Sequence, residues 1–232
     1  APQLVVNIVV SSLRSNDLSR YADNFSEGGF RRLMDGGVYF TSAYHDYAIC
    51  STATGIATVT TGAQPSSHGV VGSEWWNYID SSRVSLIDDS KARPIEFSIG
   101  AESCSPHRLV APTIGDMLIT ANPKSKNITI AIDALSAVVA TGHRGIAYWA
   151  ESNKTHWTTS SAYTESLPQW ICNYNQLGFN DIYHMERWTP IYYAKIYKNE
   201  EVAVIEDIKD KSTQLLSDID LTIADSKIGH MR

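Results

Sequence analysis

Residues 49–76 read ICSTATGIATVTTGAQPSSHGVVGSEWW. Small and apolar residues follow Ser51 as far as Val59, which predicts a helix that begins between Ser51 and Thr54. Hydroxyl side chains at a helix start accept hydrogen bonds from unpaired backbone N–H groups, and the same N–H groups attract anions. Thr52 is therefore either a capping residue or a nucleophile for a phosphate bound above the helix. The stretch alone leaves both interpretations open.

This stretch resembles, without a gap from Ile49 to Gly69, the nucleophile region of a known family. The family is the type I phosphodiesterase/nucleotide pyrophosphatase branch of the alkaline phosphatase superfamily, and the chain is most similar to its periplasmic, phosphate-irrepressible bacterial alkaline phosphatases. The resemblance starts near Leu4 and continues weakly to Trp170. The motifs that carry it are Thr61-Gly62, His68-Gly69, Gly72-Ser73-Glu74-Trp75, Ser105-Pro106 and Gly142-His143.

The resemblance implies an α/β fold with a mostly parallel sheet and helices on both faces. Three apolar, β-branched runs predict strands of that sheet, at residues 4–10, 38–41 and 127–132. Residues 1–232 are expected to form a single alkaline-phosphatase-like domain, incomplete at its C-terminal end because the family's later metal ligands are expected beyond Arg232.

Helices are predicted over residues 21–35, 113–121 and 168–177, and a hairpin or surface excursion over residues 77–93. Residues 137–149 are interpreted as a strand, a turn and a second strand. Residues 155–162 are interpreted as surface β structure. Farther along, the pattern predicts a strand over 188–198 and a partly helical segment over 200–226.

The composition limits the classes of partner. The 232 residues include 19 Lys and Arg and 25 Asp and Glu, a formal net charge of −6, without a basic cluster. Nucleic-acid binding is therefore disfavoured, and no apolar run is long enough to span a bilayer. The three cysteines Cys50, Cys104 and Cys172 are compatible with one disulfide or with three buried thiols.

The resemblance also marks five site positions. Thr52 matches the nucleophile of the family. Ser11 stands where the family has a metal-binding Asp, and Ser73 stands where monoesterase relatives have a phosphate-binding Asn. Asp133 and Leu135 replace a phosphate-gripping Lys and Arg. Active relatives use zinc, but these substitutions predict no zinc in this chain, since a neutral hydroxyl is a poor substitute for a carboxylate ligand.

Two histidines in Gly-rich turns, His68 and His143, match family positions outside the metal set, and we interpret them as structural. Asp225 and His230 lie five residues apart, one step from the family's ligand spacing, and we interpret that as chance.

Three hypotheses remain, and the substitutions at the site positions favour the first. The first is a non-catalytic family member that binds a ligand, with a phosphate ester or an envelope protein as the expected partner. The second is a metal-dependent phosphoric-ester hydrolase that uses Thr52 and is completed by residues beyond Arg232. The third is an interaction domain of the cell envelope. The family implies export to the periplasm or cell envelope, and the sequence leaves the oligomeric state and the enzymatic status open.

Overall fold

The computed structural model describes residues 3–11, 13–95, 103–151 and 156–177. The predicted elements at 188–198 and 200–226, and the pair Asp225 and His230, lie outside these residues. The described helices are α1 Ser15–Arg20, a short 3-10 helix Ala22–Asn24, α2 Gly29–Gly36, α3 Thr52–Thr61, α4 Pro65–His68, α5 Ile114–Ala121, α6 Ala134–Thr141 and α7 Gln169–Gln176. The described strands are β1 Glu74–Asn77, β2 Ser82–Ser85, β3 Pro94–Ile95, β4 Ile128–Ala131, β5 Ile146–Ala150 and β6 Trp157–Ser160.

The α/β class is confirmed, and the main sheet is mixed in the part of the chain that is described. Its four strands run in the order β3-β6-β5-β4. Strand β4 pairs parallel with β5, whereas β6 pairs antiparallel with both β5 and β3. The parallel pair β4–β5 is joined through α6, as parallel strands require a crossover.

Helices pack on both faces of this sheet. Successive side chains of a strand point to opposite faces. On β5, Ala147 and Trp149 belong to the main core, to which α3 and α6 also contribute, while Tyr148 belongs to a second cluster that includes Ile171 of α7. The main core consists of Ala53, Ile56, Ala57, Val70, Leu86, Ile87, Cys104, Leu109, Ala137, Val138, Val139, Ala147 and Trp149.

The prediction that residues 4–10 and 38–41 are strands is wrong. Neither segment forms a described β-ladder, and their apolar side chains are exposed, with Leu4 at 79%, Val38 at 80% and Phe40 at 76%. An apolar, β-branched run indicates that the segment tends to be buried. It forms a strand only where a second strand accepts and donates its backbone hydrogen bonds. Of the three predicted strands, only the one at 127–132 is found, as β4.

The helix predicted over residues 21–35 is also shorter than expected. It begins only at Gly29, because Gly28 has an extended backbone, with φ −82° and ψ −172°, and acts as the N-cap. Phe30 and Leu33 are exposed, although their spacing in the sequence predicts a core-facing side of the helix. The ring of Phe30 contacts that of Phe25 at 5.2 Å between centroids.

Two other interpretations change in the structure. Residues 134–141 form the helix α6 and not the first of two strands, because Asp133 caps a helix N-terminus there. The strand β6 is buried and not at the surface, since its hydroxyl groups find acceptors inside the protein. The Thr159 hydroxyl donates to the Ala147 carbonyl at 2.6 Å, and the Ser160 hydroxyl donates to the Cys104 carbonyl at 2.6 Å.

The hairpin, the helix α5 and the helix α7 are confirmed close to their predicted positions. β1 and β2 pair antiparallel, with Trp75 opposite Val84. Thr113 and Asp116 form a capping box at the start of α5. The structure shows no disulfide among the cysteines, of which Cys50 is exposed, Cys104 buried and Cys172 half-buried.

Candidate functional site

Thr52 is the first residue of α3, and the prediction for the start of this helix is confirmed. Ser51 is the N-cap, and its Oγ accepts a hydrogen bond from the backbone N–H of Thr54 at 3.3 Å. In return, Oγ1 of Thr54 accepts from the backbone N–H of Ser51 at 2.8 Å, and it lies 3.0 Å from the carbonyl oxygen of Ile49. Thr54 is 1% exposed. These reciprocal bonds hold the beginning of the helix in one conformation.

The side chain of Thr52 is placed differently from that of Thr54. Thr52 is exposed, and its hydroxyl makes no hydrogen bond to the described part of the chain. Capping is carried out by Ser51 and Thr54, so Thr52 is not needed for it. An unengaged hydroxyl at the positive end of a ten-residue helix is suitably placed to meet an anion.

Asp133 lies two residues after the end of β4 and is the N-cap of α6. Its backbone is extended, with φ −120° and ψ 155°. One carboxylate oxygen accepts from the backbone N–H of Ser136 at 2.8 Å, and the other accepts from the Ser136 hydroxyl at 2.8 Å. Both oxygens of the carboxylate are therefore used in capping the helix.

Leu135 is in the first turn of α6 and is half-buried. It packs against the main core, to which α3 contributes Ala53 and Ile56 and α6 contributes Ala137. The helices α3 and α6 contact one another. The structure thus places Leu135 in the packing between elements and not in a polar setting.

Ser11 and Ser73 are both exposed. Ser11 lies in a turn after the extended residues 3–10, and Ser73 lies at the base of the hairpin, where its carbonyl oxygen accepts from the backbone N–H of Leu86 at 2.8 Å. The resemblance predicts that Thr52 and Ser11 lie close together, since the two positions flank one metal in the family. That closeness stays a prediction, as does the role of each of the five positions.

His68 is fully buried, as expected for a structural histidine. Its Nδ1 accepts from the backbone N–H of Val70 at 3.1 Å, so the ring proton is on Nε2, which lies 3.1 Å from the Thr58 hydroxyl on α3. Burial lowers the pKa of His68, because the charged imidazolium loses its hydration.

His143 is at the surface, with Nδ1 3.4 Å from a carboxylate oxygen of Asp116.

Asp116 has no role in the sequence-based predictions, although it is buried and joins two parts of the chain. It accepts from the backbone N–H of Thr113 at 2.8 Å and from that of Arg144 at 2.5 Å. A Cβ added to Gly142, whose φ is +75°, would lie 2.4 Å from this carboxylate. The Thr113-x-x-Asp116 spacing is typical of a capping box. It therefore predicts the bond between Asp116 and Thr113 but not the bond between Asp116 and Arg144.

A second polar cluster, formed by Asp89, Ser105 and His107, was also missed. The Ser105 hydroxyl donates to Asp89 at 2.5 Å, so it accepts from Nδ1–H of His107 at 2.9 Å. These contacts, together with the backbone N–H of Lys91, lower the pKa of Asp89, the Ser105 hydroxyl having the largest effect. Because the serine proton is directed to the carboxylate and not to the imidazole, the histidine does not activate Ser105 as a nucleophile.

Within the described ranges, no group of three or more His, Cys, Asp and Glu side chains is arranged to hold a metal ion. None of the helices in those ranges has the length and apolar character needed to cross a membrane.

The chain is similar to known proteins along most of its length. The family described as type I phosphodiesterase / nucleotide pyrophosphatase matches residues 5–222. The chain is 32% identical over 200 residues to a protein named calcium-transporting ATPase from Myroides odoratus, covering 84% of this chain and 36% of that protein. It is 31% identical to the alkaline phosphatase PafA of Elizabethkingia meningoseptica, covering 75% of this chain and 32% of that protein.

The fold is similar as well. The crystal structure of wild-type alkaline phosphatase PafA matches with a TM-score of 0.77 and 27% identity, over 80% of this chain and 36% of that chain. The chain therefore spans about a third of the length of the relatives that it matches.

Proposed function

Because the chain belongs to the type I phosphodiesterase/nucleotide pyrophosphatase family of the alkaline phosphatase superfamily, we propose that it is a non-catalytic member that retains the fold and binds a ligand. Fold and activity are separable in such a family, since the chemistry belongs to the site and not to the scaffold.

The observation that carries this proposal is the role of Asp133. The resemblance places a phosphate-gripping Lys at this position, whereas the carboxylate here caps α6 through two hydrogen bonds from Ser136. A carboxylate repels the phosphate that a lysine would attract, and its capping bonds keep it in place. Asp133 therefore contributes to the stability of the helix and disfavours a phosphoryl group at this one position.

Leu135 and Ser11 support the same conclusion. Leu135 packs against the main core where the resemblance expects Arg, so it supplies packing and no donor to a phosphoryl oxygen. Ser11 offers a neutral hydroxyl where the resemblance expects a metal-binding Asp. Zinc in proteins is held by thiolates, imidazoles and carboxylates, so Ser11 does not fit such a site.

The test is hydrolysis of p-nitrophenyl phosphate and bis-p-nitrophenyl phosphate by the purified protein in its natural length, with and without added zinc. We expect no turnover above background in either condition. Zinc-dependent turnover that disappears in Thr52→Ala would refute the proposal. The matched control is Thr61→Ala, which alters a hydroxyl at the other end of the same helix.

A metal-dependent phosphoric-ester hydrolase is the second candidate, and the exposed hydroxyl of Thr52 favours it. In this mechanism the Thr52 oxygen would bond to phosphorus as the bond to the ester oxygen breaks and the alcohol leaves. A bound metal would lower the pKa of the Thr52 hydroxyl, so that its proton passes to solvent. The ligands for that metal would have to come largely from outside the described residues.

Metal analysis after purification with zinc separates the two candidates, because the hydrolase retains stoichiometric zinc whereas the non-catalytic protein does not. Ser11→Asp should raise zinc retention if Ser11 stands at the metal position.

We further propose export to the periplasm or cell envelope, in keeping with the family, with a phosphate ester or an envelope protein as the partner. Cell fractionation tests the location. A thermal-shift assay with p-nitrophenyl phosphate tests the first kind of partner, since a ligand that binds only the folded state raises the unfolding temperature. A protein that is exported but shows no shift with phosphate esters would point to an envelope interaction domain.

A further inference from the structure

His68 joins three parts of the chain through its backbone and its ring. Its Nε2 lies 3.1 Å from the Thr58 hydroxyl on α3, and its Nδ1 accepts from the N–H of Val70, in the turn after α4, at 3.1 Å. Its carbonyl oxygen accepts from the N–H of Val110, at the end of the loop 105–110, at 3.0 Å. Helix, turn and loop therefore meet at one buried residue, the first two through its ring and the loop through its backbone carbonyl.

The turn is closely packed at this junction. Gly69 has φ +78° and ends α4, and a Cβ added there would lie 2.8 Å from Cγ2 of Val110. Val70, which donates to the imidazole, is itself fully buried in the main core. Loss of the acceptor on His68 would leave the N–H of Val70 buried without a partner, which is costly.

Among the described residues, no hydrogen bond or ion pair joins a carboxylate to the ring of His68. The helices α3 and α4 and residues 69–72 contain no acidic or basic side chain apart from His68 itself. The loop 105–110 contributes His107 and Arg108, and the guanidinium of Arg108, which donates to backbone carbonyls, disfavours a second positive charge. On the neighbouring segment, Asp88 is exposed and Asp89 accepts from Ser105.

We propose that His68 is an acid-sensitive latch: while its imidazole is neutral it holds α3 to the Gly69 turn, beside the loop 105–110 that the His68 backbone binds, and protonation releases this junction. Protonating Nδ1 turns the acceptor of the Val70 bond into a donor, so the bond is lost and two N–H groups face each other. The opened state binds a proton at the ordinary histidine pKa of 6.5, whereas burial lowers the pKa of His68 in the closed state. The opened state therefore binds more protons as the pH falls below 6.5, and the latch weakens in acid.

Two measurements on the wild-type protein test the latch directly. Long-range proton–nitrogen NMR spectra at about pH 7.5 should show the neutral His68 ring protonated on Nε2. Hydrogen-exchange protection of the Val70 and Val110 amides should be constant above about pH 7 and fall by up to about tenfold per pH unit below about pH 6.5. A ring protonated on Nδ1, or protection at Val70 that does not depend on pH, would overturn the proposal.

Variants identify the titrating group. His68→Gln keeps one acceptor and one donor but does not titrate in this range, so its protection at Val70 should lose the acid-dependent fall. His45→Gln is the matched control, because His45 is exposed and contacts Tyr47, and it should retain the wild-type pH dependence.

If His68→Gln does not fold, Thr58→Val serves instead. This variant removes the partner of Nε2 while leaving the titrating ring, and the acid-dependent fall in protection should remain. An unchanged pH dependence in folded His68→Gln would assign the transition to another group and refute the latch.

Discussion

Replacing Asp133 with lysine separates the two roles that this position could have. In the structure the Asp133 carboxylate accepts two hydrogen bonds from Ser136, both at 2.8 Å. Losing an N-cap side chain costs about 1 kcal/mol of unfolding free energy. Placing a cation at the positive end of α6, in place of an anion, adds a further ~0.5 kcal/mol. We therefore expect Asp133→Lys to lower the free energy of unfolding by about 1.5 kcal/mol in total.

Asp133→Asn is the informative comparison, because the amide oxygen can still accept from Ser136 while the charge is removed. It should cost only about 0.5 kcal/mol. Urea unfolding followed by tryptophan fluorescence measures both, and the Lys variant should shift the midpoint downward by about 0.5–1 M at unchanged slope. Asp35→Asn, an exposed carboxylate near the end of α2, is the surface control and should stay within about 0.5 kcal/mol of the wild type. If Asp133→Lys is as stable as the wild type, the capping argument fails, and with it the main support for a non-catalytic site.

Three further outcomes are expected. Asp116→Ala should lower the free energy of unfolding by about 2–4 kcal/mol in urea titrations, because it leaves buried backbone N–H groups without their acceptor. Thr54→Val should cost about 1–2 kcal/mol by the same assay, since Thr54 is buried and hydrogen-bonded, whereas Thr52→Ala should cost less than about 0.5 kcal/mol. The third concerns Asp89, whose pKa is lowered by Ser105: the folded state gains stability from this group above its ordinary pKa of 3.8 and loses it as the pH falls through the lower, folded value. Asp89→Asn should therefore flatten the acid limb of a stability–pH profile.

An exposed residue serves as the control for the stability measurements, and each prediction has a result that would contradict it. Asp80→Ala, at the exposed tip of the hairpin, should change stability by less than about 0.5 kcal/mol, in contrast to Asp116→Ala. A small effect of Asp116→Ala would show that water replaces the carboxylate. A large effect of Thr52→Ala would show that this side chain stabilises α3 and would weaken activity assays based on it. An acid limb that is unchanged in Asp89→Asn would assign that limb to other carboxyl groups.

The features that the sequence predicted well depend on residues close together in the chain. The start of α3 follows from Ser51 and Thr54, three positions apart, whose side chains and backbone groups bond reciprocally. The hairpin follows from a polar segment, and in the structure its turn is closed by the Asn77 side chain, which accepts from the N–H of Ile79 at 3.0 Å. The strand β4 follows from a short apolar run before Asp133.

The errors arose where local patterns are ambiguous. Residues 134–141, ALSAVVAT, are short and apolar, so their periodicity suits a buried strand as well as a buried helix. In the structure these residues form a helix whose N-terminus is capped by Asp133. From the sequence alone, Asp133 is interpreted only as a replacement for the family's lysine. Residues 4–10 have strong strand character, but their pairing depends on which strand lies beside them, and no local pattern encodes that.

The sequence by itself determined the family and the position of Thr52 at a helix start, because motifs and caps are short-range features. The substitutions that the resemblance marks at Ser11, Asp133 and Leu135 stay predictions. The tertiary structure decided which side chains are engaged. Asp116 meets the N–H of Arg144 across 28 residues of chain, and the ring of His68 meets the Thr58 hydroxyl across ten. Such contacts exist only after helices and strands have packed, since packing and not spacing brings a donor to a buried acceptor.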